Sequence, residues 1–291
     1  MKIHLFVLGY KALECLRCLN NEFYKNITHV TVGRDKNIQC DYSNEIIHLC
    51  KEYKISYSER LENKETDAGF LIAIGWRWVI EKREDQKLIV FHDSLLPRYR
   101  GFNPLVTALI NGDNQIGVTA FFATNEYDKG DIISQWQKKI KYPIKVKEAI
   151  EILSRGYFEL FLDIVKKIVE GEELKGEPQN EQYATYSVWR DKRDYYIDWN
   201  QSSEKIKRFV DAVSFPYLSA RSTIDGEEVL IEEVEVISDL VIENRNVGKV
   251  LFKVNSYPVV ICGNGLLLLK KVYNTDREEV VFTNKLKLRF V

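Results

Sequence analysis

Apolar and polar positions follow two periods along the first half of the chain. KIHLFVLG and ITHVTVG are short apolar runs that predict strands, and between them YKALECLRCLNNEF repeats its apolar residues at helical spacing. SNEIIHLCKEYK opens on Ser43, expected to be the N-cap of a helix with Glu45 close behind it. AGFLIAIGW and KLIVFH are continuous apolar runs bounded by turns, the pattern of strands buried on both faces. NPLVTALINGD predicts a short helix, with Asn103 before it, Pro104 in its first position and Gly112 past its end. IGVTAFFA predicts another strand, expected to lie parallel and adjacent to KLIVFH. This alternation predicts an α/β fold: a Rossmann-like, mostly parallel sheet with helices on both faces.

A long amphipathic helix follows, with Val146, Ile150, Leu153, Tyr157, Leu160, Ile164 and Ile168 on one stripe. The polar stretch EGEELKGEPQNEQ then reads as a surface connection. Beyond it the pattern changes. SSEKIKRFVDAV predicts a helix, Asp225-Gly226 marks a hairpin turn, and VGKVLFKVNSYPVVICGNGLLLLKKVYN predicts three further strands. We therefore expect residues 1–185 to form the large α/β domain. Residues 186–291 are expected to form a helix and a small β-rich, OB-like domain.

With 291 residues, 45% hydrophobic and 29% charged, the chain can bury a sizeable core. A formal net charge of −1 gives no general affinity for nucleic acid, so no nucleic-acid partner is expected. No apolar run reaches the length of a membrane span, and the first apolar run lacks a small-residue cleavage site, so a cytoplasmic protein without a membrane partner is expected. Five scattered cysteines do not make a disulfide framework. Cys15 and Cys18 form a CxxC without a second pair; we expect two small apolar residues on one helix face, and no metal.

Strand ends are where an open α/β sheet binds its ligands. Gly9 stands alone after the first strand, so a Gly-rich phosphate loop is not supported. Three clusters are expected at strand ends: Gly75-Trp76-Arg77-Trp78, the stretch from His92 through Asp93 and Ser94, and Asp128 with Asp131 in YDKGDI. Asp93 and Ser94 are also ordinary turn residues, and Asp131 beside Gly130 may equally close a loop. The tryptophans serve either a ligand or the core. His4, His29 and His48 fall inside strand or helix patterns and read as structural, whereas His92 ends a strand beside acids and arginines.

FHDSLLPRYRG, NPLVTALINGDNQIGVT and YDKGDII together resemble the formyltransferases that use N10-formyltetrahydrofolate. YYIDWNQSSEKIKRFVDAVSFPYLSA and the GKVL and GNGLLLLKKV segments are similar to that family's C-terminal extension, so the resemblance covers most of the chain. It is most like the N-formyltransferases of nucleotide-linked amino sugars. The resemblance implies an enzyme in which His92 transfers a proton and Asp128 orients it. It places the folate co-substrate against Gly75, Trp76, Arg77, Trp78, Leu96 and Asp131. It also implies an acceptor amine on a UDP- or dTDP-linked amino-dideoxy sugar of surface-glycan biosynthesis. Arg98 and Arg100 then either hold a diphosphate or pin their loop, and Arg190, among aromatics, is a third candidate for the substrate. Methionyl-tRNA is the alternative acceptor, against which the charge balance argues, and a folate- or sugar-nucleotide-binding protein without turnover is another. A homodimer is left open. One departure stands out. The family's asparagine two residues before the histidine is Val90 here. Either His92 and backbone N–H groups suffice for the oxyanion, or Asn103 substitutes, or activity is reduced; Asn103 equally serves as the helix cap.

Overall fold

The computed structural model describes residues 1–19, 21–60, 66–282 and 287–291, with residues 21 and 22 described by backbone alone. The elements run β1 (Ile3–Val7), α1 (Gly9–Arg17), α2 (Asn21–Tyr24), β2 (Ile27–Val32), α3 (Ser43–Glu52), β3 (Tyr57–Glu59), β4 (Phe70–Ile74), β5 (Lys87–His92), β6 (Arg100–Gly101), α4 (Pro104–Asn111), β7 (Gln115–Phe122), β8 (Ile132–Lys139), α5 (Val146–Glu170) and β9 (Tyr186–Ser187). The helix expected over residues 10–23 thus divides into α1 and α2; Asn20, between them, lies outside the described residues.

Among the described residues the large sheet has the order β3-β2-β1-β4-β5-β7-β8. β1 to β5 pair in parallel, as the continuous apolar runs require. β7 departs from expectation: it runs antiparallel to β5, with His92 opposite Thr119 and Ile89 opposite Phe122. β8 then returns antiparallel to β7. The period of an apolar run reports burial and not direction, so IGVTAFFA identifies a strand and leaves its sense open. β8 carries ISQWQKK on the sheet's edge; its mostly polar, exposed sequence gives no strand signal.

α5 packs on this sheet through Tyr157 and Phe161, whose rings meet Phe91 of β5 with centroids 5.6 and 6.3 Å away. Burying Phe91 contributes about 2 kcal/mol. Residues 88, 90 and 92 share the other face by the strand's period of two. There Leu88 joins Ala68, Leu71 and Ala73 in an apolar cluster against which Val90, Phe6 and Trp76 pack.

Helix caps show where local signals were displaced. Ser43 is the first residue inside α3, not its N-cap. Asp41 does the capping work instead, accepting from the Ser43 N–H at 3.0 Å and its hydroxyl at 2.7 Å. α4 begins at Pro104 as expected, but Asn103 before it has φ +50°, not the extended backbone of an ordinary N-cap. Cys15 in α1 is buried, whereas Cys18, the residue that caps the end of the helix, is exposed, so the pair does not share one apolar face.

The second unit holds α6 (Ser203–Ala212) and β10 (Ala220–Ile224), β11 (Glu227–Ile237), β12 (Val250–Val254), β13 (Tyr257–Ile261) and β14 (Leu266–Tyr273). Ser202 caps α6 by accepting from the Lys205 N–H. β10 and β11 form the hairpin at Asp225-Gly226, both with positive φ as a two-residue turn demands. The antiparallel order is β10-β11-β14-β13-β12. The last residues bridge the sheet's two edges, through Thr223 with Val291 on one side and Gly248 with Phe290 on the other. This satisfies edge groups and gives the unit a barrel-like closure.

The compact units differ from the expected division at residue 185. The first is Met1–Leu105, Asn114–Ile140 and Glu148–Trp189; the second is Val106–Asp113, Lys141–Lys147 and Arg190–Val291. β9 belongs to the first because it pairs with β6. The second recruits the body of α4, whose Ile110 carbonyl accepts from Arg208 Nε at 3.0 Å. No helix among the described residues is long and apolar enough to cross a membrane.

Candidate active site

His92 ends β5, with its ring buried. One ring nitrogen, Nε2, lies 2.8 Å from the carbonyl oxygen of Tyr99. A carbonyl can only accept, so Nε2 carries the hydrogen and Nδ1 is left with its lone pair. Nδ1 faces Asp128 Oδ2 at 3.7 Å. That distance is too long for a direct hydrogen bond and leaves the carboxylate beside the ring's free nitrogen.

The turn after His92 is built to aim that carbonyl. Tyr99 has φ +59°, a strained conformation for a bulky residue. Its N–H donates to Thr185 Oγ1 at 2.8 Å, and the next N–H, of Arg100, donates to the Thr185 carbonyl at 2.8 Å. The Ser94 hydroxyl donates to the Arg98 carbonyl at 2.6 Å and closes the turn from within. Gly101, at φ +96°, would place a Cβ 2.4 Å from the Ser187 carbonyl oxygen, so only glycine fits. Its N–H donates to Asp128 Oδ2 at 2.7 Å and ties the turn to the acid.

Asp128 does not arrive at the end of a parallel strand. Because β7 is antiparallel, its end lies away from His92, and the loop after Phe122 must fold back. Asp128 takes φ +54°, and a Cβ on Gly130 would sit 1.6 Å from the Phe122 carbonyl oxygen. Gln179 donates to the carbonyls of Asp128 and Gly130, both at 2.8 Å. Asp131 is exposed, and its backbone carbonyl accepts from the Phe122 N–H, so in this structure it closes the loop.

Asp93 points away into a buried ion pair with Lys11, and Tyr157 donates to its other oxygen. Lys11 Nζ also stands 5.1 Å from the centre of the Tyr157 ring. Burial pushes the Asp93 carboxyl up, but the Lys11 ammonium and the hydrogen bonds from Lys11 and Tyr157 outweigh it and hold the group below the ordinary carboxylate value. A depressed folded value contributes stability above the unfolded value near 3.8, which is lost as the pH falls through the folded one. Lys11→Met is expected to lower the free energy of unfolding by about 3 kcal/mol at pH 7, because it strands a buried charge. The deficit should narrow on acidification, as the stranded carboxylate protonates. Urea melts at several pH values check this; a deficit independent of pH would show that charge is not what Lys11 supplies.

The remaining candidates fall apart into different roles. Arg100 is fully covered, and its guanidinium is committed to Gln179 Oε1 (2.8 and 3.1 Å) and Glu181 (2.7 and 2.9 Å). It pins the loop and is not available to a diphosphate. Arg98 is exposed, its guanidinium carbon 5.0 Å from the centre of the Tyr99 ring. Leu96 is buried, its N–H given to Thr119 Oγ1 and its carbonyl to Gln135 Nε2, so its backbone is committed within the fold. Gly75 has φ +65°, and a Cβ there would meet the Leu8 carbonyl at 2.3 Å. Trp76 and Trp78 pack edge-to-face at 4.9 Å and cover Gly33, and Arg77 pairs with Asp35 at 2.6 Å. Those rings fill the end of β2. Trp76 Nε1 is buried without a hydrogen-bond partner. Arg190 belongs to the second unit; burial pushes its guanidinium down, and its Nε also lacks a partner.

Val90 lies on the His92 face of β5, in the apolar cluster with Trp76. An asparagine there would sit among apolar side chains. Val90→Asn is expected to cost about 1–3 kcal/mol of stability and to bring no gain in turnover. A tenfold rise in kcat would show instead that the natural site lacks an oxyanion donor. The sequence missed Gln179 and Thr185, both within or just after a stretch read as a plain connection; their only signal was that polar side chains there must bond to something once covered.

Similarity to known proteins identifies the family. Residues 64–153 match the family model described as Formyl transferase, and residues 190–285 match Formyl transferase, C-terminal domain. A methionyl-tRNA formyltransferase of Borrelia hermsii is 32% identical over 188 residues, which are 64% of this chain and 60% of that protein. One from Streptococcus thermophilus is 30% identical over 270 residues, 87% of this chain and 84% of that protein. The fold is also that of WlaRD, a sugar 3N-formyl transferase crystallised in the presence of dTDP and 5-N-formyl-THF, with a TM-score of 0.66 and 17% identity over 98% of this chain and 99% of that one. With both family models matched and a relative 30% identical over 87% of this chain, this chain belongs to the formyltransferase family.

Proposed function

We propose that the chain transfers the formyl group of N10-formyltetrahydrofolate to the amine of a nucleotide-linked amino sugar. The neutral amine attacks the formyl carbon, and a tetrahedral intermediate forms. The amine's proton passes to Nδ1 of His92, whose tautomer the Tyr99 carbonyl has fixed. Asp128 stabilises the resulting imidazolium across the 3.7 Å gap. The imidazolium returns the proton to N10 as the carbon–N10 bond breaks, releasing tetrahydrofolate and the formamide. The new Nδ1–H and the amide of Asn103, on the turn after Gly101, are the groups we assign to the oxyanion. Trp76 Nε1 and the backbone of Gly75–Trp78 are assigned to the folate.

The acceptor assignment rests on the aromatic rim around this pair. Phe102 is 47% exposed, Tyr127 75%, Tyr186 63% and Trp189 61%, and each is within two residues of Gly101, Asp128 or the β6–β9 ladder. Large exposed aromatics beside reactive groups suit a planar base and a sugar face. The net charge of −1 accords with a small anionic acceptor better than with a polyanion. Methionyl-tRNA is the second reading, supported by the relatives at 30–32% identity.

The test is incubation with N10-formyltetrahydrofolate and a panel of UDP- and dTDP-linked amino sugars beside methionyl-tRNA, following tetrahydrofolate release and formylated product. Product with an amino sugar supports the assignment. Product with the tRNA alone transfers it to the second reading, and no product with any acceptor would leave a binding protein.

A further inference from the structure

We propose that Gln179, which lies outside the motifs of the site, is a positioning residue that sets the Asp128 carboxylate against His92. The consequence for turnover rests on the formyl-transfer reading; the geometry does not. The Gln179 amide joins two groups that need opposite partners. Its Nε2 donates to the carbonyls of Asp128 and Gly130 at 2.8 Å each. Its Oε1 accepts from Arg100 Nε at 3.1 Å and Nη2 at 2.8 Å. Carbonyls only accept and a guanidinium only donates, so the amide fits one way round.

What lies on each side explains why this link matters. Arg100 is fully buried and adjoins Gly101, whose N–H holds Asp128 Oδ2. Asp128 itself is held at φ +54°, a conformation that relaxes unless something retains it. Gln179 holds its backbone and Gly101 its carboxylate, so the acid is fixed at both ends. Both holds trace to the same short turn, Arg100 with Gly101. The antiparallel course of β7 leaves the loop without a strand end to fix it, and Gln179 supplies that fixing.

The charged groups acting on His92 are few. Asp128 faces Nδ1 from the loop after β7. Asp93 follows His92 in the chain and is neutralised by Lys11 of α1, with Tyr157 of α5 on its other oxygen. The Lys11 pair is common to every variant below, so a change at the His92 ring reports on Asp128.

The experiment is an NMR spectrum of the histidine rings in the whole chain at one fixed pH, with the His92 signals among four histidines identified by their absence in His92→Asn. Replacing the carboxylate in Asp128→Asn is expected to displace the His92 ring signals. Gln179→Met should reproduce at least about half of that displacement with Asp128 intact, since the acid is then no longer held against the ring. Combined with Asp128→Asn it should add almost nothing, because its whole effect passes through the acid. Gln179→Asn, which keeps a polar side chain but is too short to span Arg100 and both carbonyls, should behave like Gln179→Met, and it serves if the methionine variant does not fold. Unchanged His92 signals in the folded single variants overturn the proposal. So does an equal displacement in the Asp128→Asn background, which would make Gln179 an independent influence. Turnover is scored separately: a wild-type chain without formyl transfer overturns the reaction assigned above and leaves the NMR result standing.

Discussion

His92→Asn is expected to fold with the stability of the natural chain, within about 1 kcal/mol, and to transfer formyl groups at least ~100-fold more slowly. The folded state should survive because His92 ends its strand and its one strong internal bond is from Nε2 to the Tyr99 carbonyl. Asparagine retains a donor there. It cannot retain the function of Nδ1, a site that takes a proton and gives it back. The loss should fall on kcat more than on KM, since the proton moves as the transition state forms. Steady-state kinetics with a fixed acceptor and a thermal melt of the same preparation check both halves. Near-natural turnover in a folded His92→Asn variant would remove the histidine from the mechanism.

Asp128→Asn is expected to lower kcat by roughly 10- to 1,000-fold while leaving the chain folded. A carboxylate 3.7 Å from Nδ1 offsets the positive charge that the ring carries while it holds the amine's proton, and an amide does not. The amide can still accept from the Gly101 N–H, so the turn that carries Tyr99 should stay in place. Unchanged turnover in the folded variant would reassign the role of Asp128 to holding Gly101. Comparison with Asp131→Asn separates the two acids, because exposed Asp131 should leave the rate unchanged.

The apolar runs of β1, β2, β4 and β5 and the stripe of α5 were legible because burial on both faces of a parallel strand, or on one face of a helix, leaves a period that no other environment requires. The hairpin at Asp225-Gly226 was legible because its turn demands positive φ, which few residue pairs accept. Ser43 misled as a cap for the converse reason: Asp41 was close enough to take over its N–H.

The sequence by itself thus determined the fold class and singled out His92 as the candidate, since both rest on residue type and period within continuous segments. Only the tertiary structure decided that β7 reverses and that Asp128 therefore reaches His92 by a folded-back loop. It likewise decided that Arg100 is spent on Gln179 and Glu181 and that the Tyr99 carbonyl selects the tautomer of His92. These are contacts between residues 7 to 81 positions apart, fixed by hydrogen-bond directions that exist only once the segments are packed together.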